Sequence, residues 1–168
     1  MTGTVIRALP ITPERFAPYG DVIAAIPSRK EAMNEARFER FNDLAVIDVD
    51  PEDGAHAAIS IARSRVTTTL PYSFDLMERH PFGSQAFVPL SPFRFVVVVA
   101  PAGETVEAQD LRAFVTNGQQ GVNYHKGIWH MPLVAFDAGL DFLIIDRAGG
   151  SSNYEEHIFG EPVTLEVE

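Results

Sequence analysis

Apolar residues recur along most of this chain in short runs that turn-forming residues separate. An imperfect apolar and polar alternation around Ile59, Ile61 and Val66 predicts a half-buried strand. Similar patterns predict seven further strands, at Tyr72–Arg79, Gln85–Leu90, Phe93–Ala100, Leu111–Thr116, Met131–Phe136, Asp141–Asp146 and Val163–Val167. Within the third of these, the unbroken run from Phe95 to Val99 is typical of a strand buried on both faces.

Helical signals are confined to the first quarter of the chain. Thr12 can cap a short helix that begins at Pro13 and ends before Pro18 and Gly20. The segment Ala32–Phe41 predicts a second short helix. The sequence therefore predicts a mainly β protein, a sandwich or small barrel with a few short N-terminal helices, and its 168 residues suit a single domain.

Composition and charge exclude several classes of partner and site. The net charge of −10 disfavours broad contact with nucleic acid or an anionic membrane surface. The longest apolar run is far too short to span a bilayer. No cysteine is present, which excludes disulfides, thiolate metal sites and a cysteine nucleophile. The N-terminal residues carry no secretion-signal pattern, so we expect a cytoplasmic protein.

The acidity itself is unevenly distributed. Residues 30–53 and 155–168 together account for a charge of −10, whereas acids and bases balance over residues 78–133. We interpret the acidic stretches as solvated surface, which leaves room for an anionic substrate elsewhere.

Two stretches hold the side chains best suited to chemistry. In ERHPFGSQAFVPL, Glu78 and His80 lie two residues apart, so on a strand they share a face, and Gln85 follows after a turn. The alternative interpretation of this pair is an exposed strand edge.

The second stretch, RAFVTNGQQGVNYHKGIWHMPL, contains His125, Lys126 and His130. Its alternative interpretation is a glycine-rich loop with Trp129 in the core and histidines that find local partners.

These two stretches, with FVVVVA, DFLIIDR and the early YGDVI, resemble the ureidoglycolate lyase family of the cupin superfamily. The likeness extends over nearly the whole chain. It implies a cupin-like double-stranded β-helix, a small β-barrel with its site at the mouth, and a homodimer. It also implies cleavage of ureidoglycolate to glyoxylate and urea in allantoin degradation, with no organic cofactor.

The family's association with nickel implies a metal site at Glu78, His80, Gln85 and His130. In this chain Glu and Gln stand at positions where cupins usually have His and a carboxylate. An amide oxygen is a weaker ligand than a carboxylate, so we expect the metal to be weakly held or dispensable.

The reaction needs a base for the substrate hydroxyl, an acid for the leaving nitrogen and a positive group for the carboxylate. We expect His130 and His80 to handle the hydroxyl, directly or through a metal, with Glu78 as base or ligand. Gln85 would orient the substrate. Lys126 and Arg63, the latter pointing inward from its strand, would hold the carboxylate, and two further residues, Tyr124 and Asn123, would add hydrogen bonds.

Two other functions remain open at this point. A cupin fold can also serve as a non-catalytic small-molecule-binding or sensing barrel, because fold alone does not determine function. A metal-dependent oxygenase or isomerase is disfavoured by Glu78 and Gln85, which depart from the ligand pattern of such iron enzymes.

Overall fold

The computed structural model describes residues 3–168 of the chain. The single-domain prediction also covers residues 1–2, which lie outside this range. The strands are β1 Val5–Pro10, β2 Gly20–Ile23, β3 Lys30–Met33, β4 Phe38–Phe41, β5 His56–Arg63, β6 Tyr72–Arg79, β7 Gln85–Pro89, β8 Phe95–Ala100, β9 Arg112–Val115, β10 Gly121–Tyr124, β11 Trp129–His130, β12 Val134–Ala135, β13 Asp141–Ala148 and β14 Glu155–Glu166.

Helices are few and short. The α-helix α1 spans Pro13–Phe16, and the Arg15 backbone N–H donates to the Thr12 hydroxyl at 3.2 Å, as the capping prediction requires. Three 3-10 turns lie at Pro27–Arg29, Glu52–Gly54 and Ala108–Asp110. The prediction of a mainly β fold with short N-terminal helices is confirmed. No helix within residues 3–168 is both long and apolar enough to cross a membrane.

Six strands close into a barrel in the order β6, β14, β1, β9, β8 and β11. The ring closes because β11 pairs on one side with β6 and on the other with β8. Alternate residues of all six strands meet in one apolar cluster that fills the barrel, including Phe74, Met77, Val98, Ala113, Trp129 and Leu165. This closed, filled barrel agrees with the cupin-like fold.

A five-stranded antiparallel sheet, β2-β10-β7-β13-β5, covers one wall of the barrel. A second apolar cluster fills the space between them, including Phe16, Phe87, Val97, Val99, Tyr124 and Phe142. Strand β8 belongs to both cores, since its residues point alternately into the barrel and towards the sheet. All six of its residues are buried, which confirms the prediction of a strand buried on both faces.

The second predicted helix, Ala32–Phe41, is wrong. Strands β3 and β4 form an exposed hairpin there, with Met33 opposite Phe38. Asn34, Glu35 and Ala36 have φ of 54°, 58° and 61°, so the chain reverses at a point where a helix would have to continue. The helix-like spacing has no core to face, because nearly all of the hairpin is exposed.

The predicted strands were mostly found, but five segments were missed or shortened. Strands β1, β2 and β10 and the first half of β14 were not predicted. In place of the predicted strand Met131–Phe136, the structure has the two-residue strand β12 within that segment and the two-residue strand β11 just before it. The strand around Ile59 lies at His56–Arg63, a few residues earlier than predicted. The missed segments are short or contain glycine or charged residues, so their apolar signal is weak.

Candidate active site

Glu78, His80 and His130 lie together on the outside of the barrel, where it faces the five-stranded sheet. The expected position at the barrel mouth is therefore wrong. Glu78 on β6 and His130 on β11 are direct cross-strand partners, so both side chains leave the barrel wall on one face. His80 comes directly after the end of β6. One ligating atom of each residue lies within 4.8 Å of the others. The fold therefore brings together three side chains that are far apart in the sequence.

His130 is 1 % exposed and its ring stacks on Tyr124, with centroids 4.3 Å apart and planes 12° apart. Burial, reinforced by the charge of His80, lowers the pKa of His130 to about 3. The imidazole is therefore neutral at physiological pH, so its 3.7 Å approach to Glu78 is not an ion pair. Its Nδ1 lies 3.4 Å from the Met131 carbonyl, and its buried Nε2 has no partner among the described residues.

The tautomer of His80 follows from its backbone contact. Its Nδ1 lies 2.7 Å from the carbonyl oxygen of Asn153, which can only accept, so Nδ1 carries the proton. In the neutral ring, Nε2 is then the nitrogen with the lone pair, and it contacts no polar group within residues 3–168. The Nε2 atoms of His80 and His130 face the same small space, with ring centroids 5.2 Å apart.

Glu78 is poised differently from an exposed carboxylate. Its burial raises its pKa, and the nearby charge of Glu156 acts in the same direction, whereas the Tyr154 hydroxyl and the charge of His80 oppose the shift. A carboxyl whose pKa moves towards neutrality can hold and release a proton more readily than an exposed one. Glu78 is therefore suited to acid–base chemistry beside two histidines.

Gln85 approaches the cluster from the facing sheet. It lies on β7 directly opposite Tyr124 on β10, which stacks on His130. Its Nε2 donates to Asp146 at 3.0 Å, so its Oε1 is the free end of the carboxamide. That oxygen is buried and has no hydrogen-bond partner in the described chain.

Asn123 and Lys126 are not brought into this cluster. Successive residues of a strand point to opposite faces, so Asn123 faces away from Tyr124 and donates to Asp21 at 3.0 Å and to the Val46 carbonyl at 3.2 Å. Lys126 lies 3.5 Å from Asp48. Both acids line a cavity of about 400 Å³ on the outer face of the sheet, together with Lys126.

The expected inward direction of Arg63 is wrong. Its side chain is 69 % exposed and forms a bidentate pair with Asp141, at 2.7 and 2.8 Å. Asp141 and Asp146 lie at opposite ends of β13, and Gln85 is opposite Asp146. Arg63 pairs with Asp141, which lies five residues along β13 from Asp146, the residue opposite Gln85. Five residues of a strand span roughly 16 Å, so Arg63 is far from the cluster.

Sequence reasoning missed Asn153, Tyr154 and Glu156. Glu156 is the cross-strand partner of Glu78 on β14, and the Tyr154 hydroxyl donates to Glu156 Oε1 at 2.5 Å. The Tyr154 ring lies 6.0 Å from that of His80. The segment RAGGSSN reads only as a turn, and no local pattern links its sequel to β6, since 78 residues separate the two glutamates.

The fold defines a cupin-like β-barrel protein, and it brings Glu78, His80 and His130 together in one cluster. The chain matches the family described as ureidoglycolate lyase over residues 3–166. It is 46 % identical over 157 residues to ureidoglycolate lyase from Pseudomonas syringae pv. syringae (strain B728a), an alignment that covers 93 % of this chain and 91 % of the relative. It is 49 % identical over 158 residues to ureidoglycolate lyase from Burkholderia cepacia, with coverage of 93 % and 88 %.

The chain therefore belongs to the ureidoglycolate lyase family, which confirms the resemblance stated from its motifs. Membership supports an enzyme of the lyase class. The alternative interpretation, a non-catalytic binding or sensing barrel, receives no support from these relatives.

Proposed function

We propose that this protein cleaves ureidoglycolate to glyoxylate and urea. The observation that carries the proposal is the meeting of two buried histidine Nε2 atoms, without partners in the described chain, with a half-buried glutamate in a chain of this family. The relatives described above are named ureidoglycolate lyase, and their alignments with this chain cover 91 % and 88 % of their own lengths. A general base and a general acid at one carbon atom are what this reaction requires.

The proposed reaction balances without water. A base takes the hydroxyl proton of ureidoglycolate, and the oxygen electrons form the aldehyde C=O of glyoxylate. The C–N bond breaks, its electron pair stays on the nitrogen, and an acid protonates that nitrogen to give urea. One proton taken and one proton given leave the enzyme unchanged once the proton has passed between the two groups.

His80 is the proposed base, because its Nε2 presents a lone pair while Nδ1 is fixed on the Asn153 carbonyl. Glu78 is the proposed acid, since burial raises its pKa and lets it hold the proton that the leaving nitrogen needs. His130, neutral and rigidly stacked on Tyr124, accepts a hydrogen bond from the substrate through Nε2. The Oε1 of Gln85 orients the substrate from the facing sheet.

A divalent ion such as Ni²⁺ fits the donor set. Glu78, His80 and His130 would hold it, since their ligating atoms lie within 4.8 Å of one another and both Nε2 atoms lack partners in the described chain. Gln85 would add a neutral amide oxygen. When bound, such an ion supplies positive charge that stabilises the substrate carboxylate and the developing alkoxide.

The remaining predictions about partners and location are also proposals. A homodimer is supported by the exposed apolar outer face of β5, where Ile59 is 72 % and Ile61 62 % exposed on a strand with a free edge. The prediction that the protein does not bind nucleic acid rests on the net charge of −10. The cytoplasmic location stays a prediction.

The proposed activity is tested by incubating the purified protein with racemic ureidoglycolate and measuring glyoxylate, urea and ammonia separately. Equal amounts of glyoxylate and urea without ammonia are expected. Ammonia release would indicate an amidohydrolase, and no product from either enantiomer would overturn the assignment. We expect protein treated with a metal chelator to keep its activity, because Glu78 and His80 can carry protons only when no ion is bound to them. Loss of activity that Ni²⁺ restores would instead show that these residues are metal ligands.

A further inference from the structure

The cluster of Glu78, His80 and His130 contains more hydrogen-bond acceptors than donors. Glu156 adds further acceptors on the solvent-exposed side of the cluster. Glu156 faces Glu78 directly across β14 and β6, so the two carboxylates leave the barrel on one face. His130 lies on the other side of Glu78 in the same row. Both histidine Nε2 atoms and the Gln85 Oε1 are further acceptors without partners among the described residues.

Tyr154 supplies a hydroxyl at this edge, and that hydroxyl is already engaged. It donates to Glu156 Oε1 at 2.5 Å, and a phenol has one proton to give. Tyr154 is 45 % exposed, which puts it at the entrance rather than in the core. Glu156 is therefore held in place by a neighbour that leaves its second oxygen without a donor.

The backbone that carries Tyr154 is anchored at several points. The Asn153 side-chain oxygen accepts from the Phe82 N–H at 2.7 Å, and its carbonyl accepts from His80. The buried Arg147 donates to the Ser151 carbonyl at 2.9 Å. These contacts hold the entrance side chains in a defined position relative to the base.

No arginine or lysine within residues 3–168 donates to Glu78, Glu156 or either histidine of the cluster. Arg79, the basic residue next to Glu78, pairs with Glu155 and covers Trp129 on the other face of the strand. The edge formed by Glu78 and Glu156 is therefore acidic and unneutralised. It repels a carboxylate and favours a group rich in N–H donors.

We propose that Glu156, held by Tyr154, binds the ureido end of the substrate and so determines which way round it enters; this inference rests on the proposed function. A ureido group carries a terminal NH₂ and a second N–H, which match the free acceptors of Glu156. Binding there places the scissile C–N bond next to Glu78 and directs the substrate carboxylate away from the acidic edge. Glu156 is thus a specificity residue and Tyr154 a positioning residue.

The test compares two non-reacting ligands on the full-length protein by calorimetry. N-carbamoylglycine keeps the ureido group and the carboxylate, whereas glycolate keeps the hydroxyl and the carboxylate but lacks the ureido group. In Glu156→Gln we expect affinity for N-carbamoylglycine to fall about tenfold while affinity for glycolate changes less than about twofold. Tyr154→Phe should show the same selective loss at about threefold, because it frees Glu156 without removing it.

Two matched variants serve as controls. Glu161→Gln neutralises another exposed glutamate of β14, and Tyr72→Phe removes a hydroxyl from another strand; both should leave both affinities unchanged. In turnover, Glu156→Gln should raise KM about tenfold with kcat within about threefold of wild type. Equal losses for both ligands, or none for either, would overturn the proposal. The ligand measurements need no turnover, so they are independent of whether wild-type protein releases urea.

Discussion

A histidine lies near each face of strand β10, but the two differ in burial and in their partners. On the inner face, Tyr124 packs on a buried, neutral His130 beside Glu78 and Gln85, and several polar atoms there have no partner in the described chain. On the outer face, His125 lies 3.1 Å from Asp21, half-exposed. Burial shifts the pKa values of His130 and Glu78 on the inner face. The proposed catalytic site therefore lies on the inner face.

Replacing one histidine on each side gives the largest test of this contrast. His130→Ala should lower kcat by about 10²- to 10⁴-fold, because it removes the buried group that contacts the substrate in the proposed reaction. His125→Ala should leave kcat within about twofold of wild type, since its loss removes only an exposed pair. Steady-state kinetics on both variants, with circular dichroism to confirm folding, makes the comparison. Similar losses in the two would mean that both faces serve the reaction.

Moving β10 as a whole should damage both faces at once. A Cβ at Gly20 would lie 1.9 Å from the Asn123 carbonyl oxygen, so the pairing of β2 with β10 has no room for a side chain. We expect Gly20→Ala to lower the free energy of unfolding by about 1–3 kcal/mol and to reduce activity.

In the matched variant Gly160→Ala, the added Cβ has no neighbouring atom within 4 Å, so the stability should be near that of wild type. Urea unfolding of both proteins gives the measurement. A Gly20→Ala protein as stable as Gly160→Ala would show that the strands can separate without cost.

The smallest effect is expected at the ion pair between Arg63 and Asp141, far from either site. Its hydrogen bonds from Arg63 lower the pKa of Asp141, so the pair stabilises the fold above the unfolded-state pKa of about 4 and this contribution is lost as the pH falls through the lower folded-state value. Arg63 is solvent-exposed and Asp141 is only partly buried, so the contribution is small.

Thermal melts of wild type and Asp141→Asn at pH 7 and at pH 2 should therefore differ slightly at the higher pH and converge at the lower one. A gap that widened on acidification would contradict this account. Activity is expected to follow the stability of the variant, not the charge of Asp141, because the pair lies outside the cluster.

Much of the fold and part of the site could be predicted from local patterns. Phe95–Val99, the cap at Thr12 and the strand Tyr72–Arg79 all follow from short-range regularities that hold wherever the segment packs. The hairpin at residues 30–41 could not, because its spacing fits a helix equally well until a core is known. Lys126 and Asn123 were grouped with His130 because they are close in the sequence. Strand alternation turns Asn123 to the other face, and Lys126 lies in the turn after β10, where it contacts Asp48.

The sequence by itself determined which residue types are available, where most strands lie, and that the motif-bearing span is charge-balanced within an acidic chain. Those properties depend on neighbours a few positions away. Only the tertiary structure decided that Glu78 meets both His130 and Glu156, that Asn153 sets the tautomer of His80, and that Arg63 faces solvent. The physical reason is that pairing partners and register are set by contacts between distant segments, and a shift of one residue in register exchanges the two faces of a strand.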